Sequence, residues 1–184
     1  MTRSRTQTLC LISVLAALYV PLSIFAAVQM GNVRISFGSL PVVVCALLLG
    51  PVESVAVAMI GEFFKQLLTY GVTATTVLYL IPPALRGLNI GLAAMYLLRR
   101  GGRPLEQRRA LCIAVCICAA VATTLGNTLV NWLDSILYGY YTPALIFGDA
   151  VYRFAVGMVN AVVMAVIAMP LAGILRRQFH YMFP

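Results

Sequence analysis

The stretch ALCIAVCICAAVATTLGNTLVNWL, residues 110–133, carries no charged side chain from end to end. About 20 apolar residues suffice for a helix to cross a hydrocarbon core ~30 Å thick, and this stretch is long enough. It lacks the strict alternation of a membrane β-strand. A helix, which satisfies its own backbone hydrogen bonds, is the form that such a run takes in lipid. The rest of the chain agrees: 62% of its 184 residues are hydrophobic and 10% charged, against ~45–50% and ~25% in soluble domains. A globule of this size has no interior large enough to hide so much apolar surface.

Outward from this run, the chain divides into six apolar spans. The first is Leu9 to Val28, followed by an external connection (Met30 to Phe37) and a shorter span, Gly38 to Leu49. Gly50-Pro51 forms a turn, and Pro51 suits the first turn of the third span, which reaches Tyr70. An outer loop rich in Thr and Gly (Gly71 to Leu80) leads to Pro82-Pro83 and the fourth span, ending at Leu98. The loop Arg99 to Arg109 precedes span five, and a Tyr-rich outer segment precedes span six, Leu145 to Leu175. The expected architecture is an all-α membrane protein of six transmembrane helices, one domain over residues 1–184, with no internal repeat.

The formal net charge of +8 is accounted for by topology and not by nucleic acid. Arg99, Arg100, Arg103, Arg108 and Arg109 crowd one loop, Arg3 and Arg5 precede the first span, and Arg176 and Arg177 follow the last. An even number of spans puts all three clusters on one face, which the positive-inside rule makes cytoplasmic, N- and C-termini included. Four cations are left over: Arg34, Lys65, Arg86 and Arg153.

Ionisable groups inside spans are costly and face a protein interior or a wet cavity. Lys65, Arg86, Asp149 and Arg153 fall in the outer half of their spans, Glu62 falls nearer the middle, and Arg34 sits just before span two. These groups are candidates to line one outward-facing cavity. Two of the pairs also have a purely structural reading. Glu62 with Lys65 (i,i+3) and Asp149 with Arg153 (i,i+4) can each neutralise one another along a helix. Arg86 has no such partner in its own helix, which makes it the foremost ligand contact. On span five, Asn127, Thr128, Asn131 and Trp132 lie near the outer end, where amides serve either as interhelical glue or, with an aromatic, as a cradle for a planar ligand. On span one, Ser13, Ala16 and Ala17 form a small-residue face that permits close helix approach.

No Ser/His or Cys/His nucleophile can be assembled, since the single histidine, His180, is in the C-terminal tail. No phosphate-binding loop and no metal-ligand spacing is present; the five cysteines lie in apolar segments, where Cys112 and Cys116 read as small packing residues. An enzyme is therefore not expected, nor a cofactor, and active transport would have to be powered by partners.

Three segments carry a family resemblance: VRISFGSLPVVVCALLLGP (33–51), LRGLNIGL (85–92) and LGNTLVNWLDSILYG (125–139). In this order over six spans the chain resembles the substrate-binding (S) components of energy-coupling factor (ECF) transporters, the folate group in particular. The resemblance implies high-affinity capture of a folate-like anionic vitamin on the outer side of a prokaryotic plasma membrane. It also implies a transmembrane coupling subunit and two cytoplasmic ATPases as partners, with the coupling subunit docking on Ser13, Ala16 and Ala17. Arg34, Glu62, Lys65, Arg86 and Arg153 would meet the ligand's polar groups, while Asn127, Asn131 and Trp132 position its ring. Glu62 (commonly Asp in the folate group), Lys65 and the FFKQLL stretch depart from the folate pattern, so pantothenate and thiamine-type ligands stay open. Two rival classes stand beside this one: a dimeric, proton-coupled secondary transporter using Glu62 or Asp149, and an assembly protein that binds no ligand.

Overall fold

A computed structural model describes residues 5–30, 33–101, 104–148 and 150–178. Its helices are α1 (Arg5–Ile24), α2 (Ser39–Leu48), α3 (Pro51–Tyr70), α4 (Thr76–Tyr79), α5 (Ile81–Gly101), α6 (Arg109–Leu137), α7 (Pro143–Phe147) and α8 (Ala150–Gln178). Six of them, all but the short α4 and α7, make the bundle that the apolar runs predict. The connection after α1 departs from the all-helical expectation. It is an antiparallel hairpin of β1 (Ala27–Met30) and β2 (Val33–Ser36), with Ala27 opposite Ser36 and Met30 opposite Val33. Val33-Arg34-Ile35-Ser36 alternates apolar and polar, which is a strand signal, though too short to stand out beside a long span. The last long helix begins at Ala150 and not at Leu145, because α7 takes up the intervening segment.

Four helical segments are long and apolar enough to cross a membrane: Thr6–Ile24, Thr76–Gly101, Arg109–Leu137 and Ala150–Gln178. α3 has the length but carries Glu53, Glu62 and Lys65. α2 has the apolarity but, at 10 residues, is only ~15 Å long. The bundle presents Leu125, Leu129, Val159 and Val166 outward, each more than half exposed. Apolar side chains all over the outer faces fit lipid as solvent.

The short α2 organises the interior. Every residue in it except Leu40 is buried. Val43, Val44 and Leu47 join Ile90 of α5, Cys112 and Cys116 of α6 and Ala165 of α8 in one core. Val42 and Cys45 join Leu15, Ala16 and Tyr19 of α1 and Val57 of α3 in another. Cys112 and Cys116 are buried packing residues with no disulfide between them. Since α2 covers only about half of the bilayer's depth, the space beyond its first residue, Ser39, is not filled by helix. Ser39 borders two of the cavities described below.

At the opposite end, a 3₁₀ turn (Leu105–Gln107) is clasped to the bundle. Arg176 Nε pairs with Glu106 Oε1 at 2.8 Å, and Arg176 Nη2 donates to the Leu47 carbonyl at 3.2 Å. The C-terminal end of α8, the arginine-rich loop and the end of α2 therefore share one end of the molecule. Leu11, near the start of α1, packs against both cores beside Leu49, which brings the amino end of α1 to the same end.

α3 and α5 approach at backbone distance. A Cβ on Gly91 would lie 2.5 Å from Pro51 Cα, and one on Gly87 3.0 Å from the Ser54 carbonyl. Ser54 Oγ uses this closeness to donate to the Gly87 carbonyl at 3.0 Å. Small residues spaced by four are the usual means of such approach in membranes. Gly91→Val is expected to force the helices apart at a cost of ~1–3 kcal/mol or more, read as a lower melting temperature in detergent. An unchanged melting temperature would mean that the contact is not tight.

Candidate functional site

The helices bring polar residues to one face each, and these faces meet. On α3, Glu62, Lys65 and Gln66 fall on one side by their i, i+3, i+4 spacing. On α6 the corresponding set is Thr124, Asn127, Thr128, Asn131 and Asp134, and on α8 it is Arg153, Gly157 and Asn160. With Arg86 of α5 and the turn residues Thr73, Thr75 and Tyr79, they enclose a cavity of ≈ 660 Å³. Its depth ends near a void of ≈ 20 Å³ between Ser39, Arg86, Cys116 and Met164, room for about one water molecule.

A second chamber of ≈ 240 Å³ adjoins the first, with Glu62, Lys65, Arg86, Asn127 and Asn160 common to both walls. Its remaining polar lining is hydroxyl: Tyr19 and Ser23 from α1, Ser36 from β2, Ser39 from α2 and Thr123 from α6.

Glu62 is the best-bonded group in the site. It is 4% exposed, and both carboxylate oxygens are used. Tyr19 Oη donates to Oε2 at 2.6 Å, while Lys65 Nζ at 2.6 Å and Gln66 Nε2 at 2.9 Å donate to Oε1. The Tyr19 ring reaches this position by lying across Gly61, where a Cβ would come within 2.5 Å of it. The Glu62–Lys65 pair is thus a real ion pair, tied to α1 as well as along its own helix.

Arg86 is its opposite. It borders both chambers and the small void, yet its guanidinium makes no hydrogen bond or ion pair among the described residues. The charge of Glu62 is near enough to be felt, but no direct contact among the described residues uses its N–H groups.

Two hydrogen bonds involve residues of the larger cavity's wall. Tyr79 Oη donates to Asn131 Oδ1 at 3.2 Å, and Tyr140 Oη donates to Asp134 Oδ2. Donation to the Asp134 carboxylate pushes the Tyr140 phenol up to about 12, so Tyr140 stays protonated and keeps this bond at physiological pH.

Glu62, Lys65, Arg86, Asn127, Asn131 and Arg153 are thus brought together around one cavity. Trp132 is not among its walls. It is 36% exposed, because successive helical residues point ~100° apart and Asn131 takes the inward direction. The aromatics that do line the cavity are Tyr70, Tyr79 and Tyr138. Arg34 stands on β2 opposite Gln29, and its side chain is outside the described part of the structure, as is the whole of Asp149. On α1, Ser13 and Ala17 are exposed, whereas Ala16 is 4% exposed and packed in the core with Val42 and Cys45. Ala16 therefore belongs to the bundle interior and not to an outer docking face.

Asp134 and Asn160 are wall residues that the sequence reading passed over. Asp134 follows the apolar run that seemed to end at Leu133, yet it is i+7 from Asn127, and the same spacing joins Asn160 to Arg153. Extending each polar stripe by two turns would have found both. Among the described residues no cluster has the composition of a metal site.

Comparison with known proteins now adds to this geometry. A family model described as "ECF-type riboflavin transporter, S component" matches residues 3–177. No curated protein matches the sequence. Among solved structures, the S component of a bacterial ECF transporter superposes with a TM-score of 0.57 at 17% identity, covering 97% of this chain and 98% of that one. At such identity the likeness is one of fold.

Proposed function

The chain belongs to the ECF-type riboflavin transporter S component family, and from that premise we propose that it captures riboflavin from the outer side of a prokaryotic plasma membrane. The observation that carries this reading is the ≈ 660 Å³ cavity at the end of the bundle away from the arginine clusters. Its size falls in the range of small-molecule sites, roughly 300–1,000 Å³. Asn127, Asn131 and Asn160 offer both donors and acceptors to the edge of a flat heterocycle, and Tyr70, Tyr79 and Tyr138 offer ring faces. The positive-inside rule sets the arginine-rich end, with both termini, in the cytoplasm, which turns the cavity outward.

Delivery needs partners. The chain's sequence holds no phosphate-binding loop, so a coupling subunit and two ATPases supply the energy. The exposed pair Ser13 and Ala17 on α1 is the face on which the coupling subunit packs. A proton-coupled transporter built on Glu62 is the weaker reading, because Tyr19, Lys65 and Gln66 already occupy both oxygens of that carboxylate.

A folate-type ligand is the second reading, favoured by charge. Lys65, Arg86 and Arg153 outnumber Glu62 and Asp134 in the same wall. Calorimetric titration of the purified protein in detergent with riboflavin and with folate separates the two. Saturable binding of riboflavin with a Kd in the nanomolar range, and none of folate, is the expected result. The reverse pattern would transfer the assignment to folate, and no heat from either would remove both.

A further inference from the structure

The loop from Arg99 to Arg109 holds five arginines and a single acid, Glu106. That acid does not offset the cations around it. It turns inward, its side chain 4% exposed, and pairs with Arg176 at 2.8 Å. Glu53, in the first turn of α3 at the same end, is engaged as well. Arg99, Arg100 and Arg109, with Arg177 at the end of α8, are all exposed. The positive-inside rule accounts for their number, but not for how two of them are held.

Arg100 is the first. Leu88, Leu92 and Tyr96 are exposed on α5, and with Arg100 they form a stripe of residues four apart along one face. Arg100 folds back on this stripe, its Cζ 4.8 Å from the centre of the Tyr96 ring. A guanidinium over an aromatic ring is held by its flat face, which leaves its in-plane N–H groups available. None of them has a hydrogen bond among the described residues, and such a fork matches the oxygens of a phosphate. Arg109 is the second. Arg108 Nη2 donates to the Gly101 carbonyl at 3.4 Å, which ties the start of α6 to the end of α5. Arg100 and Arg109 are each next in the chain to one of these bonded residues, so they stand at one junction.

We propose that this junction binds an anionic phospholipid, with Arg100 and Arg109 on its phosphate and an acyl chain along Tyr96, Leu92 and Leu88. The occupant is a lipid and not a soluble anion, because the cations stand at the foot of an apolar stripe that faces hydrocarbon. An aromatic at that boundary suits the headgroup level of a bilayer. The lipid is anionic because, with Glu106 turned inward, the loop shows no carboxylate to the ammonium of a zwitterionic headgroup. A lipid held here anchors the ends of α5 and α6 to one leaflet, and both helices wall the larger cavity. The site is independent of which vitamin that cavity takes.

The test is native mass spectrometry of the purified full-length protein in detergent, titrated with phosphatidylglycerol or phosphatidylcholine. Wild type is expected to bind the anionic lipid at least ~10-fold more tightly. Arg100→Gln and Arg109→Gln are each expected to weaken it by about 5-fold. Tyr96→Leu, which keeps the apolar stripe but removes the ring under Arg100, is expected to weaken it by about 3-fold. Arg177→Gln removes the same charge from another helix and is expected to change little; a thermal melt confirms that each variant is folded. No preference of wild type for the anionic lipid would overturn the proposal and leave the arginines to topology or to a protein partner. Equal losses from all three arginine variants would also overturn it, by showing a diffuse field in place of a site. Displacement of the lipid by an equal concentration of glycerol phosphate would make the junction a site for a soluble phosphate, and the lipid assignment would fall.

Discussion

Arg86→Ala is expected to weaken vitamin binding by about 100-fold or more while leaving the melting temperature of the ligand-free protein nearly unchanged. A hydrogen bond to a charged group contributes ~1.5–3 kcal/mol, and a guanidinium can make two in parallel. Each 1.4 kcal/mol is about tenfold in affinity, so the loss of two such bonds sets the magnitude. Stability is spared because Arg86 gives no hydrogen bond to the described protein, although it borders both chambers and the void below them. Burying an unpaired cation is itself a cost, which the fold carries for the ligand. Arg86→Lys should recover little, since an ammonium lacks the planar fork of donors. Calorimetry and a thermal melt on the same preparations decide the matter. Unchanged affinity would remove Arg86 from the site, and a large fall in melting temperature would show that its charge serves the fold through Glu62 and Tyr19.

The six-helix bundle was legible in the sequence because lipid leaves so few alternatives. Runs such as residues 110–133 must be helical, and arginines must gather at one end. The intramembrane charges were legible as a set for the same reason: each is too costly to be incidental. Direction around a helix was harder to read. Trp132 and Asn131 are neighbours in sequence, but one faces outward and the other the cavity. Ala16 lies between positions that face outward and is itself buried. Bonds between helices were illegible altogether. Nothing in the sequence ties Tyr19 to Glu62 across 43 positions, or joins Tyr79 to Asn131. The ligand subgroup was not legible for a related reason. Short motifs such as LRGLNIGL (85–92) follow from helix packing, since Gly87 and Gly91 let α5 touch α3, and packing against a neighbouring helix carries no information about the ligand.

Glu62→Ala should have the largest effect on stability. Three donors converge on this carboxylate, and two of them, Tyr19 and Gln66, are buried. Removing the acceptor strands all three. Breaking a buried ion pair from one side costs ~3–5 kcal/mol. The Lys65 side chain retains 21% exposure against 5% for Glu62, so the lower part of that range applies, about 3 kcal/mol. The damage should centre on the α1–α3 contact, because Tyr19 reaches Glu62 by resting on Gly61. Glu62→Gln keeps an oxygen for Tyr19 but leaves the lysine's charge unopposed, so it should fall between wild type and Glu62→Ala. The decisive comparison is the double variant Glu62→Leu/Lys65→Met. Replacing both members of a buried pair by apolar groups is often close to neutral, so this protein should regain most of the lost melting temperature. If the double variant were no more stable than Glu62→Ala, Tyr19 and Gln66 rather than Lys65 would be the partners whose loss unfolds the bundle. If Glu62→Ala itself melted like wild type, the network would contribute nothing to the fold, and its four residues would be held in place solely to meet the ligand.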